Sequence, residues 1–92
     1  MSLMQMYHYC TIYERLDVLH SKMRHGKVIV RFDEFISDEN RKIMECEIPG
    51  YVVKRNQGFS DAEVEKLIDF CKHNAHLFLK YAKEGGVWAS LK

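Results

Sequence analysis

Three side chains near the C-terminus have the chemistry and the spacing of a metal site. Asp69, His73 and His76 follow an i, i+4, i+7 pattern, so on a helix they share one face. A carboxylate and two imidazoles can bind zinc or a related divalent ion and support metal-assisted hydrolysis. The sequence offers no fourth ligand, and a solvated face with an Asp69–His73 pair explains the pattern more simply. We therefore predict no metal and no other cofactor, and keep a metal-dependent hydrolase as an alternative.

The thiols and the paired carboxylates do not form a catalytic set. Cys46 lies between Glu45 and Glu47, whose negative charge disfavours the reactive thiolate. Cys71 falls at an apolar position, where a buried cysteine usually acts as a small hydrophobe. No phosphate-binding loop, dinucleotide-binding motif, nucleophile elbow or calcium loop is present. The sequence predicts no catalytic residues and favours a non-enzymatic protein.

The basic side chains of the C-terminal half indicate nucleic-acid binding as another alternative. They stand just before a predicted helix and on its second half, where the helix dipole also favours positive charge. The residues that would contact phosphate are Lys54, Arg55, Lys72, His73, Lys80 and Lys83. The whole chain carries 14 Lys+Arg against 13 Asp+Glu, a net charge of +1. Because a protein that coats nucleic acid is usually strongly basic, we do not expect nucleic acid to be the main partner.

The longest predicted element is a helix in the C-terminal third. Ser60-Asp61-Ala62-Glu63 is a capping box, in which the serine and the glutamate bond each other's backbone amides. From Val64 to Ala82 apolar residues recur at steps of three, four and seven, as on one face of a helix. Gly85-Gly86 can supply a left-handed cap. The pattern predicts a helix over residues 61–84.

The central part of the chain alternates with a period of two, which is typical of strands. Turn-forming residues interrupt the alternation at 37–40 and at Pro49-Gly50. The pattern predicts three antiparallel strands, over residues 28–35, 43–48 and 51–54. Because short turns join neighbouring strands, a meander is the simplest sheet.

The N-terminal part fits two interpretations. Ile12, Leu16, Leu19 and Met23 keep a helical spacing, which predicts a leading helix. Alternating tyrosines instead indicate a strand over residues 4–13, and both interpretations hold in part if a short strand up to about Cys10 precedes the helix. We predict an α+β fold with a helix, a three-stranded antiparallel meander and a long C-terminal helix. A short extra N-terminal strand is the variant of this fold.

Length and cysteine usage limit the organisation and the location. The 92 residues are expected to form one domain, 1–92, with an ordered core at about 4–84. We interpret residues 1–3 as a remnant of recombinant expression and residues 85–92 as a C-terminal tail. Three cysteines without a CxxC pair indicate a reducing cytoplasm. No apolar run is long enough to span a membrane, so we expect no membrane association.

The apolar content predicts a partner. Hydrophobic residues make up 47% of the chain, which is enough to build a packed core, and those on the sheet and on the flank of the long helix together exceed what one small single-layer core needs. Some of them widen the apolar stripe of the long helix, and others stand on the predicted sheet. We predict a homodimer, or binding of another protein, because association would bury this surface. The partner-binding residues would be Phe70, Leu77, Tyr81, Phe35 and Tyr51.

One stretch of the chain resembles a known family. Residues 53–64, Val-Lys-Arg-Asn-Gln-Gly-Phe-Ser-Asp-Ala-Glu-Val, with the helix through Lys83, are similar to the end of a family of small bacterial domains of unknown function. Members of that family carry Asn-x-Gly-Phe-Ser before a long helix. Their His-x-His-Val pattern is replaced here by His25-Gly26-Lys27-Val28. The resemblance implies a compact, toxin–antitoxin-like α+β unit without established catalysis.

The function predicted from these observations is non-catalytic. We expect a small cytoplasmic bacterial protein that acts as a protein–protein interaction domain or as a toxin–antitoxin-like accessory domain. A small nucleic-acid-binding regulator is the first alternative, and the metal-dependent hydrolase is the second.

Overall fold

A computed structural model describes residues 5–85 of the chain. The elements are β1 Met6–Ile12, β2 Leu16–Ser21, β3 Val28–Ser37, β4 Asn40–Ile48, β5 Val52–Gln57 and α1 Asp61–Glu84. The strands form one antiparallel sheet in the order β1-β2-β3-β4-β5, and α1 lies across one face of it, over β2, β3 and β4. The α+β class is confirmed, but the meander has five strands rather than three. The predicted remnant at 1–3 and nearly all of the predicted tail lie outside the described residues.

The predicted leading helix is wrong. Residues 6–21 form a β-hairpin in which Ile12 faces Leu16 across the turn. Tyr13 and Glu14 reverse the chain with φ angles of 53° and 64°, which a right-handed helix does not contain. Buried and exposed residues then alternate at the start of β2, so the period of two outweighs the helical spacing. The short extra N-terminal strand, the variant of the predicted fold, is present as β1.

Helix α1 begins and ends as its caps predict. Ser60 Oγ accepts a hydrogen bond from the Glu63 amide at 3.2 Å, and the Ser60 amide donates to Glu63 Oε1 at 2.9 Å. Hydrogen bonds from Ser60, and then from Lys42, hold the pKa of the Glu63 carboxyl below its ordinary value. At the other end the Gly85 amide donates to the Tyr81 carbonyl from a left-handed conformation. Among residues 5–85, no helix is both long and apolar enough to cross a membrane.

One apolar layer lies between the sheet and α1. The sheet contributes alternate residues of β2, β3 and β4, among them Val18, Phe32 and Met44, which stand side by side in register. Burying one side chain of this kind stabilises the fold by about 1.5–3 kcal/mol. This layer is therefore the main source of stability. The helix residues buried in it are Leu67, Cys71, Phe78 and Ala82.

The other face of the sheet is mainly polar, although apolar side chains from β2, β3 and β4 also stand on it. Arg31, Glu45 and Arg55 stand side by side across β3, β4 and β5, an alternation of charge that is favourable between neighbouring strands. Arg41 donates two hydrogen bonds to the Asp33 carboxylate, at 3.1 and 2.8 Å. The sheet therefore offers no broad apolar face for association. In the part of the chain that the structure describes, the exposed large apolar side chains are Tyr13, Phe35, Ile36, Val52 and Val53.

Candidate binding surface

The two ends of the sheet carry opposite charge. Because each strand reverses direction, the turns at 13–15 and 38–39 and the start of α1 lie at one end, and the turns at 22–27 and 49–51 and the end of α1 lie at the other. The first, here called the acidic end, carries Glu14, Asp17, Asp33, Glu34, Asp38, Glu39, Asp61, Glu63 and Glu65 against Arg15, Arg41, Lys42 and Lys66. The second, here called the basic end, carries Lys22, Arg24, Lys27, Lys54, Lys80 and Lys83 against Glu47 and Glu84. The net charge of +1 conceals this separation.

A cleft of about 470 Å³ opens at the acidic end, between the β1–β2 hairpin and the first half of α1. We call it the apolar cleft. A cavity of this volume lies within the range of known ligand sites, and an apolar centre inside a polar rim is typical of protein-binding surfaces. The residues that line it are Ile12, Leu16, Phe59, Leu67 and Phe70 in the centre and Tyr13, Glu34, Glu63 and Lys66 around them.

The loop before α1 shapes the floor of the apolar cleft. Asn56 Oδ1 accepts a hydrogen bond from the Phe59 amide at 3.2 Å, and Asn56 Nδ2 donates to the Phe59 carbonyl at 3.0 Å. Gly58 has a φ of +98°, and a Cβ there would stand 3.0 Å from Lys42 Cγ, so glycine is favoured at this close approach. These contacts place the Phe59 side chain in the core, where only 8% of the residue is exposed.

The rim of the apolar cleft is charged. Lys42 Nζ lies 3.3 Å from Glu63 Oε2 and 3.8 Å from Glu34 Oε1. Lys42 and Lys66 together balance these two rim carboxylates, so the negative potential comes from the surrounding acidic end. The carboxylates that stand in the turns and on the helix around the rim are Glu14, Asp38, Glu39, Asp61 and Glu65.

Exposed apolar side chains also stand at the acidic end. Tyr13, on its rim, is 85% exposed, and Phe35 and Ile36 at the end of β3 are 49% and 40% exposed. The Phe35 amide donates to the Arg15 carbonyl at 3.1 Å, which holds the end of β3 against the β1–β2 turn. The acidic end therefore combines an apolar cleft, exposed apolar side chains and negative charge.

The residues predicted for partner binding lie in separate places. Phe70 lines the apolar cleft, and Phe35 stands exposed at the same end. Leu77 and Tyr81 are half-buried further along α1. Tyr51 is half-buried in the β4–β5 turn at the basic end. The structure thus brings two of the five to the acidic end and does not bring all five into one patch.

The three candidate metal ligands do not converge. His73 Nδ1 is hydrogen-bonded to the Asp69 carbonyl at 2.8 Å, and it lies 3.8 Å from Asp69 Oδ2. These contacts are those of an ordinary i, i+4 pair on an exposed helix face. Within residues 5–85 no group of three or more His, Cys, Asp or Glu side chains is arranged to hold a metal ion, and His76 stands exposed further along α1.

The residues predicted for nucleic-acid binding do not form one surface. Arg55 Nη2 donates to Gln57 Oε1 at 3.1 Å, and Lys72 Nζ lies 5.4 Å from the centroid of the Tyr51 ring. Sequence reasoning missed the basic turn at 22–27, because that segment was interpreted as the end of a helix. Of the predicted residues, Lys54, Lys80 and Lys83 lie at the basic end, whereas Arg55 is on the polar sheet face and Lys72 and His73 are midway along α1.

Two of the three thiols meet in the core. Cys46 on β4 and Cys71 on α1 are fully buried, and each thiol shifts the pKa of the other, that of Cys71 upward and that of Cys46 downward. Contact with Cys46, and then burial, raise the pKa of the Cys71 thiol, and burial raises that of the half-buried Cys10. Because the thiolate is the reactive form, Cys71 and Cys10 are poor nucleophiles. The two free thiols meet because Cys46 and Cys71 both occupy apolar positions that face the core.

Comparisons of the chain with protein-family models, with curated proteins and with solved structures found no match. The family resemblance of residues 53–64 stays a prediction.

Proposed function

We propose that the protein is a non-enzymatic interaction domain whose apolar cleft binds a segment of a partner protein. The observation that carries this proposal is the apolar cleft itself, a cavity of about 470 Å³ with an apolar centre and a charged rim. Aromatic side chains such as Phe59 and Phe70 favour an aromatic or large aliphatic anchor in the partner. The toxin–antitoxin-like role, the bacterial origin and the cytoplasmic location stay predictions from the sequence.

The charge around the apolar cleft selects the kind of segment. An anchor flanked by Lys or Arg would meet the negative potential of the acidic end, which speeds association and disfavours acidic competitors. The rim carboxylates Glu34 and Glu63 already contact Lys42, so new cations would pair with the carboxylates outside the rim. The partner is therefore a basic segment with one apolar anchor.

Truncation of Tyr13 tests this proposal. Tyr13 is 85% exposed, so Tyr13→Ala removes rim surface without disturbing the core. We expect it to weaken binding of a capped Lys-Trp-Lys peptide about fivefold, or about 1 kcal/mol, as measured by isothermal titration calorimetry. The matched control is Val52→Ala, because Val52 is also apolar and 49% exposed but lies on β5.

Charge reversal in the peptide completes the test. Capped Glu-Trp-Glu should bind at least about tenfold more weakly than Lys-Trp-Lys at low salt. Equal effects of the Tyr13 and Val52 truncations, or equal affinity for the two peptides, would contradict the proposal.

A second copy of the chain is the competing occupant of the apolar cleft. The basic end carries Lys22, Arg24 and Lys27, which the acidic end would attract, and the homodimer predicted from the sequence would follow. Analytical ultracentrifugation of the protein alone separates the two cases. A monomer at about 100 μM that binds Lys-Trp-Lys supports a separate partner, whereas a dimer that Tyr13→Ala weakens identifies a second copy as the occupant.

A further inference from the structure

The basic end holds a second cavity that the proposed function does not use. It has a volume of about 680 Å³ and opens beside the β2–β3 turn. We call it the basic cleft. Ile29 lies in its lining, and Glu47 is its one carboxylate. Its basic residues are Lys22, Arg24, His25 and Lys27, which come from a single turn.

The backbone of that turn fixes where the basic side chains start. The Arg24 amide donates to the Lys27 carbonyl at 2.8 Å, and the Lys27 amide donates to the Arg24 carbonyl at 2.9 Å. His25 and Gly26 between them have φ angles of 53° and 76°, as in a two-residue hairpin turn with positive φ at both positions. The turn is therefore a defined structure that presents several cations in a small volume.

The one carboxylate of the basic cleft is already occupied. Glu47 Oε1 lies 3.3 Å from Lys27 Nζ and 3.9 Å from Lys54 Nζ, and its side chain is 18% exposed. None of the ion pairs formed within residues 5–85 involves Lys22 or Arg24. The basic cleft thus keeps at least two cations for an external anion.

The positive charge extends beyond the basic cleft. Lys54 on β5 and Lys80 and Lys83 on the last turns of α1 stand at the same end. The molecule measures 36 × 30 × 26 Å, so this end is wide enough to face several consecutive phosphates, which follow each other every ~3.4 Å of helix axis along one strand of a duplex. No Phe, Tyr or Trp side chain lines the basic cleft in the described part of the chain, so the cleft lacks the large aromatic platforms on which successive bases stack.

We infer that the basic cleft binds the phosphodiester backbone of nucleic acid without reading its bases. The lysine and arginine side chains of the basic cleft bind the phosphates. The acidic end faces away, because the phosphates repel it, and this repulsion orients the molecule as it approaches the nucleic acid. Binding of this kind is strongly salt-dependent and independent of sequence. It is separate from the proposed function, because the apolar cleft lies at the opposite end.

Salt-dependent binding of labelled oligonucleotides tests the inference. The probes are a 20-base-pair DNA duplex and a 20-nucleotide single-stranded RNA, measured by fluorescence anisotropy from about 50 to 200 mM NaCl. In the double variant Lys22→Gln/Arg24→Gln we expect about tenfold weaker binding at the lowest salt. The slope of log K against log salt for the duplex should become shallower by about 1.8, since each phosphate contact contributes about 0.9.

Two further variants serve as controls for the double variant: one should leave oligonucleotide binding unchanged, and the other should tighten it. Arg15→Gln/Lys66→Gln removes the same charge from exposed positions at the acidic end and should leave the affinity within about twofold. Glu47→Gln removes the carboxylate of the basic cleft and should tighten binding about threefold. Circular dichroism spectra confirm that each variant is folded.

Four outcomes would overturn the inference. The first two are the absence of oligonucleotide binding at the lowest salt and equal losses of affinity in the two double variants. The others are an unchanged salt slope in Lys22→Gln/Arg24→Gln, and binding of polyglutamate or inorganic polyphosphate without binding of the oligonucleotides. Because Tyr13→Ala does not touch the basic cleft, it should leave oligonucleotide binding unchanged even if the proposed function fails.

Discussion

Replacement of Val18 by aspartate should cause a large loss of stability. Val18 is fully buried and stands in register with Phe32, so Val18→Asp places a carboxylate in the apolar layer between the sheet and α1. Burying such a group without a partner costs about 4 kcal/mol or more. A chain of this length is expected to have a free energy of unfolding of about 5–14 kcal/mol. Urea denaturation followed by circular dichroism measures the loss.

The neighbouring residue is the control. Leu19 lies on the polar face of the sheet, in register with Arg31, so Leu19→Asp should change the free energy of unfolding by only about 1 kcal/mol. A leading helix would give the reverse order, because its apolar stripe contains Leu19 and not Val18. Greater damage from Leu19→Asp than from Val18→Asp would contradict the β1–β2 hairpin.

Acid should destabilise the protein through His20. His20 is fully buried, and its Nδ1 is hydrogen-bonded to the Ser21 carbonyl at 3.0 Å, while Nε2 has no hydrogen-bond partner among residues 5–85. The rings of Tyr7 and Phe78 lie 5.6 and 6.2 Å away. Burial, the largest cause, lowers the pKa of His20 below its ordinary value of 6.5, because the apolar surroundings disfavour the charged imidazolium.

The sign of the pH dependence follows from this shift. The unfolded chain protonates His20 below pH 6.5, whereas the folded chain does so only at lower pH. Stability is therefore full above that pH and falls by about 1.4 kcal/mol per pH unit until the folded pKa is reached. The pKa of Glu63 is also lowered, but the stability that Glu63 contributes is lost only below about pH 4.5. The pH ranges in which His20 and Glu63 affect stability are therefore separate.

A variant without the imidazole isolates this effect. His20→Phe should make the free energy of unfolding nearly independent of pH between about 7.5 and 5, as measured by urea denaturation at each pH. His76→Phe is the control, because His76 is exposed on α1 and its loss should leave the acid sensitivity intact. If His20→Phe keeps the pH dependence of the parent protein, the buried imidazole is not its cause.

The helix and the central strands could be predicted because their signals are local. The capping box at Ser60 and Glu63 and the alternation along β3 and β4 depend on neighbours in sequence. The β1–β2 turn gave no such signal, since Tyr13 and Glu14 adopt positive φ where glycine or asparagine is usual. Leu16 also satisfies both a helical and a strand period, so the apolar spacing alone did not distinguish the two.

The candidate surfaces could not be predicted from sequence patterns. The apolar cleft brings Ile12 and Phe70 together, which are far apart in the chain and share no motif. The basic cleft depends on strand order, because only the meander places the turn at 22–27 beside Glu47 and Lys54. The total charge does not show the two charged ends either, because it records how many charges there are and not where the fold places them.

The most direct test of the account is a map of the bound peptide on the protein. We propose titrating the isotope-labelled chain with capped Lys-Trp-Lys and following backbone amide shifts by nuclear magnetic resonance. We expect shifts concentrated within residues 12–16 and 59–70, which include most of the lining of the apolar cleft, with little change on β5. Shifts confined to the basic end or to the polar sheet face, or no shifts at about 1 mM peptide, would contradict it.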